Sequence, residues 1–210
     1  MNLPTMITLV RQDLHDTDPE TYRWTDEELT RHISHAVKSL SLQIPLRSVE
    51  ELATAYGSRE VDISSLSDRV SLENVEYPVG HFPPFYQRFS LRANTLILLS
   101  LDVPDGSNCK ITYGALHILD EEISTIPSRH DDLIAVGACA YAASALAAYS
   151  INQVNTGGAG TPKDWAQFSR EKLAVFHGEL KRLGYTGKFY VSHLYVANYR
   201  PASRSTDAWQ

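Results

Sequence analysis

Residues 128 to 152 read SRHDDLIAVGACAYAASALAAYSIN, a polar first turn followed by a run that is almost wholly small and apolar. Ser128 is placed to cap the first turn of a helix, Asp131 stands where a capping-box carboxylate belongs, and Ile126-Pro127 ends a preceding strand. After Ile134 the helix has little polar face to give to water, so it is read as a central helix. Ala135, Gly137, Ala138, Ala142 and Ala145 let neighbouring backbones come close, and Leu133, Tyr141, Leu146 and Tyr149 fill the remaining space. A membrane span is the rival reading. It is set aside because Ala and Gly dominate and no apolar run is counted as reaching the ~20 residues that a bilayer needs.

Upstream, Leu3, Ile7, Val10 and Leu14 recur at helical spacing and His15-Asp16-Thr17-Asp18-Pro19 ends that short helix. WTDEEL then opens a second helix: Thr25 is its N-cap, Glu28 the capping-box partner, and Trp24 a staple onto Leu29. Leu29, Ile33, Ala36, Val37 and Leu40 make its apolar stripe, and Pro45 follows its end. From about Ser58 to Ile126 the pattern alternates, as in strands, and NTLILLSLDVPDGSNCKITYGAL is expected to be a hairpin about Asp105-Gly106. Downstream, Thr161-Pro162 opens a last helix with Trp165, Phe168, Leu173, Phe176, Leu180 and Leu183 on one stripe, and Gly184 is expected to close it. The two long helices should pair antiparallel. The fold expected is mainly α, a helical bundle with two long C-terminal helices and an inserted small antiparallel sheet, α+β overall. Residues 1–185 would form one domain with its β-rich insertion at about 58–126, and 186–210 an extended arm.

With 43% hydrophobic and 21% charged residues, the composition is that of an ordinary globular chain. A formal net charge of -6 argues against free binding to nucleic acid, which needs a basic patch. Cys109 and Cys139 show no CxxC or paired spacing and no signal peptide precedes them, so they are read as reduced packing residues of a protein made in a cytoplasm. No catalytic constellation emerges. GGAG at Gly157–Gly160 lacks the Lys-Ser/Thr of a phosphate loop, and there is no GxSxG elbow. His32 and His35 could meet a metal but lack a carboxylate partner and are expected on an exposed face. Arg129-His130-Asp131-Asp132 is the most polar cluster; Asp131 and Asp132 are more simply favourable charges at a helix N-terminus than an acid/base pair. The sequence therefore points to no catalytic, metal or cofactor site.

The WTDEEL entry, the β insertion, IPSRHDDLIAVGACAYAASALAAY, a second long helix and an aromatic C-terminal stretch together resemble the head–tail connector (adaptor) proteins of tailed bacteriophages. The resemblance spans most of the chain and rests best on Trp24–Leu29 and on the helix led by Pro127. It implies a structural virion protein, not an enzyme, at the neck between capsid portal and tail. Copies, expected as a dodecamer, would form a ring under the portal, extend the DNA channel and present a surface to a tail or stopper protein. Genomic DNA would pass without specific binding and no membrane would be involved. The C-terminal arm would dock on the portal through Lys188, Phe189, Tyr190, Leu194, Tyr195, Tyr199, Arg200 and Trp209. Aromatic and arginine side chains are over-represented in protein interfaces, in keeping with such an arm. Asp26, Glu27 and Glu28, or Asp120, Glu121 and Glu122, are candidates for an acidic lumen, although a solvated surface explains either triplet more simply. The alternatives are a tail-completion ring protein, or a small soluble enzyme or ligand-binding domain with its site near His130.

Overall fold

The computed structural model describes residues 1–100, 102–150 and 161–190, with 185–190 described in backbone only. Among these residues are four α-helices and seven strands in two antiparallel sheets, 45% helix and 23% strand, so the protein is α+β rather than the mainly helical bundle expected. The excess strand comes partly from Leu46–Ala53 (β1), directly after Pro45, where a half-buried Leu46, Ser48 and Leu52 interrupt an exposed run too weakly to signal a strand. Two compact units result: Met1–Leu46 with Ala115–Gly184, and Arg47–Gly114.

The helical unit is started by local capping. Helix α1 (Leu3–Asp13) begins where the Asn2 side chain accepts from the Thr5 N–H, with Pro4 in its first turn. Helix α2 (Asp26–Gln43) carries the full capping box: Glu28 N–H donates to Thr25 Oγ1 at 3.2 Å and Thr25 N–H to Glu28 Oε2 at 2.9 Å. Helix α3 (Asp131–Ser150) follows a 3-10 turn, Ser128–His130, which Ser128 does not cap, contrary to expectation. The 3-10 turn holds this entry through backbone, His130 N–H donating to the Pro127 carbonyl, so no hydroxyl cap is used.

Met6, Val10, Leu29, Ile33, Leu40, Ile134, Ala138, Ala142 and Phe176 share one buried core drawn from all four helices. Helix α4 (Pro162–Tyr190) runs antiparallel to α3: Ser169 donates to the Ala140 carbonyl, while further along α4 Phe176 lies on Gly137, one turn earlier in α3. Gly184 does not end α4. It stands inside the helix, where a Cβ would come within 2.5 Å of the Gln43 side chain, so its role is close approach rather than a turn. By length and composition Ser128–Ser150 does qualify as a membrane span, which corrects the residue count that set this aside, yet half of its most apolar window is buried among the other helices. Its last turns open to solvent, where Ala145 and Tyr149 are exposed instead of packing.

The second unit has its own core of Val61, Ile63, Leu66, Val75, Leu96, Leu98, Cys109 and Ile111. One sheet runs β1, β7 (Asn108–Ala115), β3 (Arg69–Glu76), β4 (Tyr86–Gln87); the other runs β2 (Glu60–Asp62), β6 (Thr95–Leu98), β5 (Phe89–Arg92). The expected hairpin about Asp105-Gly106 does not form, because β6 and β7 belong to different sheets. The connection is held elsewhere: Tyr77 Oη donates to Asp105 Oδ1 at 2.8 Å and accepts from the Asp105 N–H at 2.9 Å. Ser107 bonds, followed by that of Tyr77, hold the Asp105 carboxyl down at about 2. A tight hairpin instead joins β5 to β6 through Ala93 at φ 49, with the Arg69 guanidinium bonding the Ala93 carbonyl at 2.9 Å and Asn94 Oδ1 at 2.8 Å.

Two helical glycines give opposite forecasts for one substitution. A Cβ at Gly137 would sit 2.7 Å from the Phe176 ring, whereas one at Gly178 meets nothing within 4 Å. Gly178→Ala should therefore stabilise by up to about 1 kcal/mol from helix propensity. Gly137→Ala should lose about 1–3 kcal/mol to overpacking despite the same propensity gain. Urea unfolding of the two variants checks both signs.

Candidate functional site

The entry to α2 is organised by a buried cation. Arg11 is 6% exposed at the end of α1, and it donates to Asp16 Oδ2 at 2.8 Å, to the Trp24 carbonyl at 2.9 Å and to Asp26 Oδ1 at 2.7 Å. The Tyr22 ring lies over its guanidinium at 3.5 Å. Asp16, 5% exposed, also accepts the Arg23 N–H, so one arginine, paired with both Asp16 and Asp26, ties the end of α1 to the start of α2. An arginine suits this because its planar fork reaches three acceptors at once.

Over this pair lies an open groove of about 730 Å³ in the helical unit. Leu3, Pro4, Ile7 and Tyr22 give it an apolar floor; Glu27 and Arg31 of α2 and Glu121 stand on its rim. Glu121 is brought there by backbone: Asn2 Nδ2 donates to its carbonyl at 3.0 Å, and the Leu3 N–H donates to the Asp120 carbonyl. Members of both acidic triplets, far apart in sequence, thus line one groove. Asp26 and Glu28 are committed to structure, Asp26 to Arg11 and Glu28 to the cap. Glu27 and Glu121 make no ion pair among the described residues and both side chains are exposed. The groove can hold an extended segment that offers cations and a ring; a cation alone would find no built cage, since no group of three or more His, Cys, Asp or Glu gathers among the described residues.

The polar cluster at the start of α3 is split: His130 and Asp131 are buried, whereas Arg129 and Asp132 are exposed. His130 is 5% exposed, and Arg129 Nε donates to its Nε2 at 3.1 Å. Asp131, 6% exposed, lies 3.5 Å from the Met1 amino nitrogen through Oδ2, and its Oδ1 has no hydrogen-bond partner among the described residues. Burial first, then the Arg129 charge and His117, holds the His130 pKa below its ordinary value, against the opposing pull of Asp131.

His32 and His35 part company. His32 is buried at 6% exposure, which corrects its expected exposed face, and burial followed by Arg31 lowers its pKa; His35 stacks on Tyr141 at 4.0 Å. They form no metal pair with a third ligand among the described residues. Cys109 and Cys139 are both free and buried, one in each core, and burial pushes the Cys139 thiol up to about 12. Of the expected portal-docking set, Lys188, Phe189 and Tyr190 fall on the last turns of α4, so the arm does not begin extended at 186. Leu194, Tyr195, Tyr199, Arg200 and Trp209 lie outside the described residues.

Two surface features escaped the sequence reading. The groove did, because its walls come from α1, α2 and a loop about a hundred residues later, with no shared motif. The β unit also exposes Phe82 at 99% and Tyr56 at 85%, two rings that no sequence motif singles out. The chain matches no protein-family model and no curated protein sequence.

Arg11→Met should destabilise by about 3–5 kcal/mol, as for a buried pair broken on one side, because Asp16 would stay buried without its cation. Adding Asp16→Asn should recover part of the loss, read by urea unfolding. A second forecast concerns pH. An unfolded histidine binds its proton near pH 6.5, and folded His32 and His130 bind theirs lower, so the unfolded state holds more protons in between. Stability should be full above about pH 6.5 and fall as pH drops towards their lowered folded values. His32→Gln with His130→Gln should flatten that part of a melting-temperature profile.

Proposed function

We propose that this protein is a head–tail connector of a tailed bacteriophage virion, a structural adaptor that forms a ring under the portal, extends the DNA channel and offers the tail its attachment surface. The observation that carries this reading is the meeting of Trp24 and Leu29 with the Pro127-led helix, through Ile134 and Ala138, in one core. The two stretches on which the resemblance rests are thereby one structural body. The exposed Phe82 and Tyr56 rings suit a protein whose work is contact with other proteins, since exposed aromatic side chains are common at such surfaces. An overall charge of -6 suits a channel that DNA must traverse without sticking. Docking on the portal falls to the chain after Gly184, which begins with the last helical turns carrying Lys188, Phe189 and Tyr190.

Co-expression with the portal subunit of the same virion, followed by affinity capture and negative-stain microscopy, tests this. The full chain should bring down the portal as a ring with an open channel, and a chain ending at Tyr185 should not. A full chain that captures no portal subunit and shows no ring would overturn the reading.

A further inference from the structure

The geometry of the α1–α2 groove points to a specific occupant: we infer that it receives the C-terminal residues Arg200–Gln210 of a second copy of this chain, linking neighbours in the ring. This rests on the ring-forming reading above, and it assigns Arg200 and Trp209 to the neighbouring copy instead of to the portal.

The groove and the segment match in both signs of charge and in apolar character. On the rim, Glu27 and Glu121 are exposed and make no ion pair among the described residues, while Arg11 beneath them is already neutralised by Asp16 and Asp26. The rim therefore presents two carboxylates to a partner, with one guanidinium, Arg31, beside them. The last eleven residues, RPASRSTDAWQ, supply two guanidinium groups, Arg200 and Arg204, one carboxylate, Asp207, and one large ring, Trp209. Arginines on Glu27 and Glu121 form charge-assisted pairs, Asp207 meets Arg31, and the indole covers the floor made by Pro4, Ile7 and Tyr22. A volume of about 730 Å³ is enough for an indole and the neighbouring side chains but is too open to enclose a small ligand on all sides. Nine residues lie between Tyr190, the last residue of α4, and Arg200, and an extended chain covers up to about 36 Å from one to the other, which gives the segment reach beyond its own helix.

Sedimentation equilibrium on the full chain tests this with two charge-reversed variants. Glu27→Arg with Glu121→Arg should weaken self-association at least tenfold, and so should Arg200→Glu with Arg204→Glu. A one-to-one mixture of the two variants should recover association, because each tail then meets a groove of opposite sign on the other variant. That recovery requires contact between copies and excludes a tail folded back on its own chain. The inference is overturned if either variant associates like the parent, if the mixture stays weak, or if the parent is a monomer throughout. Portal capture by the groove variant is read separately: capture with undiminished self-association sinks the groove inference alone, whereas a parent that neither self-associates nor captures the portal sinks both.

Discussion

A helix that is apolar on nearly every side calls for cover, and α3 sets that requirement for the helical unit over its first turns, leaving its last turns to solvent. Of its buried positions only Asp131 and Ile134 are larger than cysteine; the others are Ala135, Gly137, Ala138, Cys139, Ala140, Ala142, Ala143 and Ala147. Small side chains forfeit area per residue but let neighbouring backbones approach, so the bulk of the core comes from the partners: Met6 and Val10 of α1, Leu29, Ile33 and Leu40 of α2, and Phe176 of α4. The same surface explains why this helix passes a length-and-composition test for a membrane span while half of its most apolar window lies inside the fold.

Much of this was legible locally and little of it at long range. The capping box at Thr25 and Glu28 needs only four consecutive residues, and it forms as read. Thr161 and Asp164 likewise open α4 with reciprocal bonds, Asp164 N–H to Thr161 Oγ1 and Thr161 N–H to Asp164 Oδ2. Gly184 misled because a glycine at the end of a periodic stripe looks the same whether it supplies a left-handed turn or room for Gln43. The Asp105-Gly106 turn misled because Gly106 does take a positive φ of 93, yet turn chemistry does not say which sheet the following strand joins. A tyrosine 28 residues earlier, Tyr77, holds that connection, and no window of sequence announces it.

The candidate site was illegible for a related reason. Asp26 to Glu28 and Asp120 to Glu122 each read as a solvated charge run, and each reading is correct for some of its members. Asp26 is drawn to Arg11 and Glu28 to the cap, which leaves Glu27, and the Asp120 and Glu121 carbonyls fasten the start of α1, which leaves the Glu121 carboxylate pointing to solvent. What distinguishes the leftover charges is their meeting over an apolar floor, and that depends on the buried Arg11–Asp16 pair fixing the chain between α1 and α2.

The neck of the β insertion has a bearing on how such a chain could have been assembled. Within the helical unit, His117 Nε2 lies 3.1 Å from the Ile44 carbonyl and the His117 N–H donates to Ser41 Oγ at 2.9 Å, so the strands of chain leaving and re-entering the helices are stitched side by side. An inserted module whose two ends are already neighbours adds no loop-closure burden beyond the slow logarithmic growth with length. Its sequence is then free to drift, lengthen or be exchanged, since its hydrophobic core of Val61, Ile63, Leu96 and Ile111 shares no residue with the helical one. Descent could thus preserve the helical body while recasting the insertion wholesale, and two relatives would align over their helices alone.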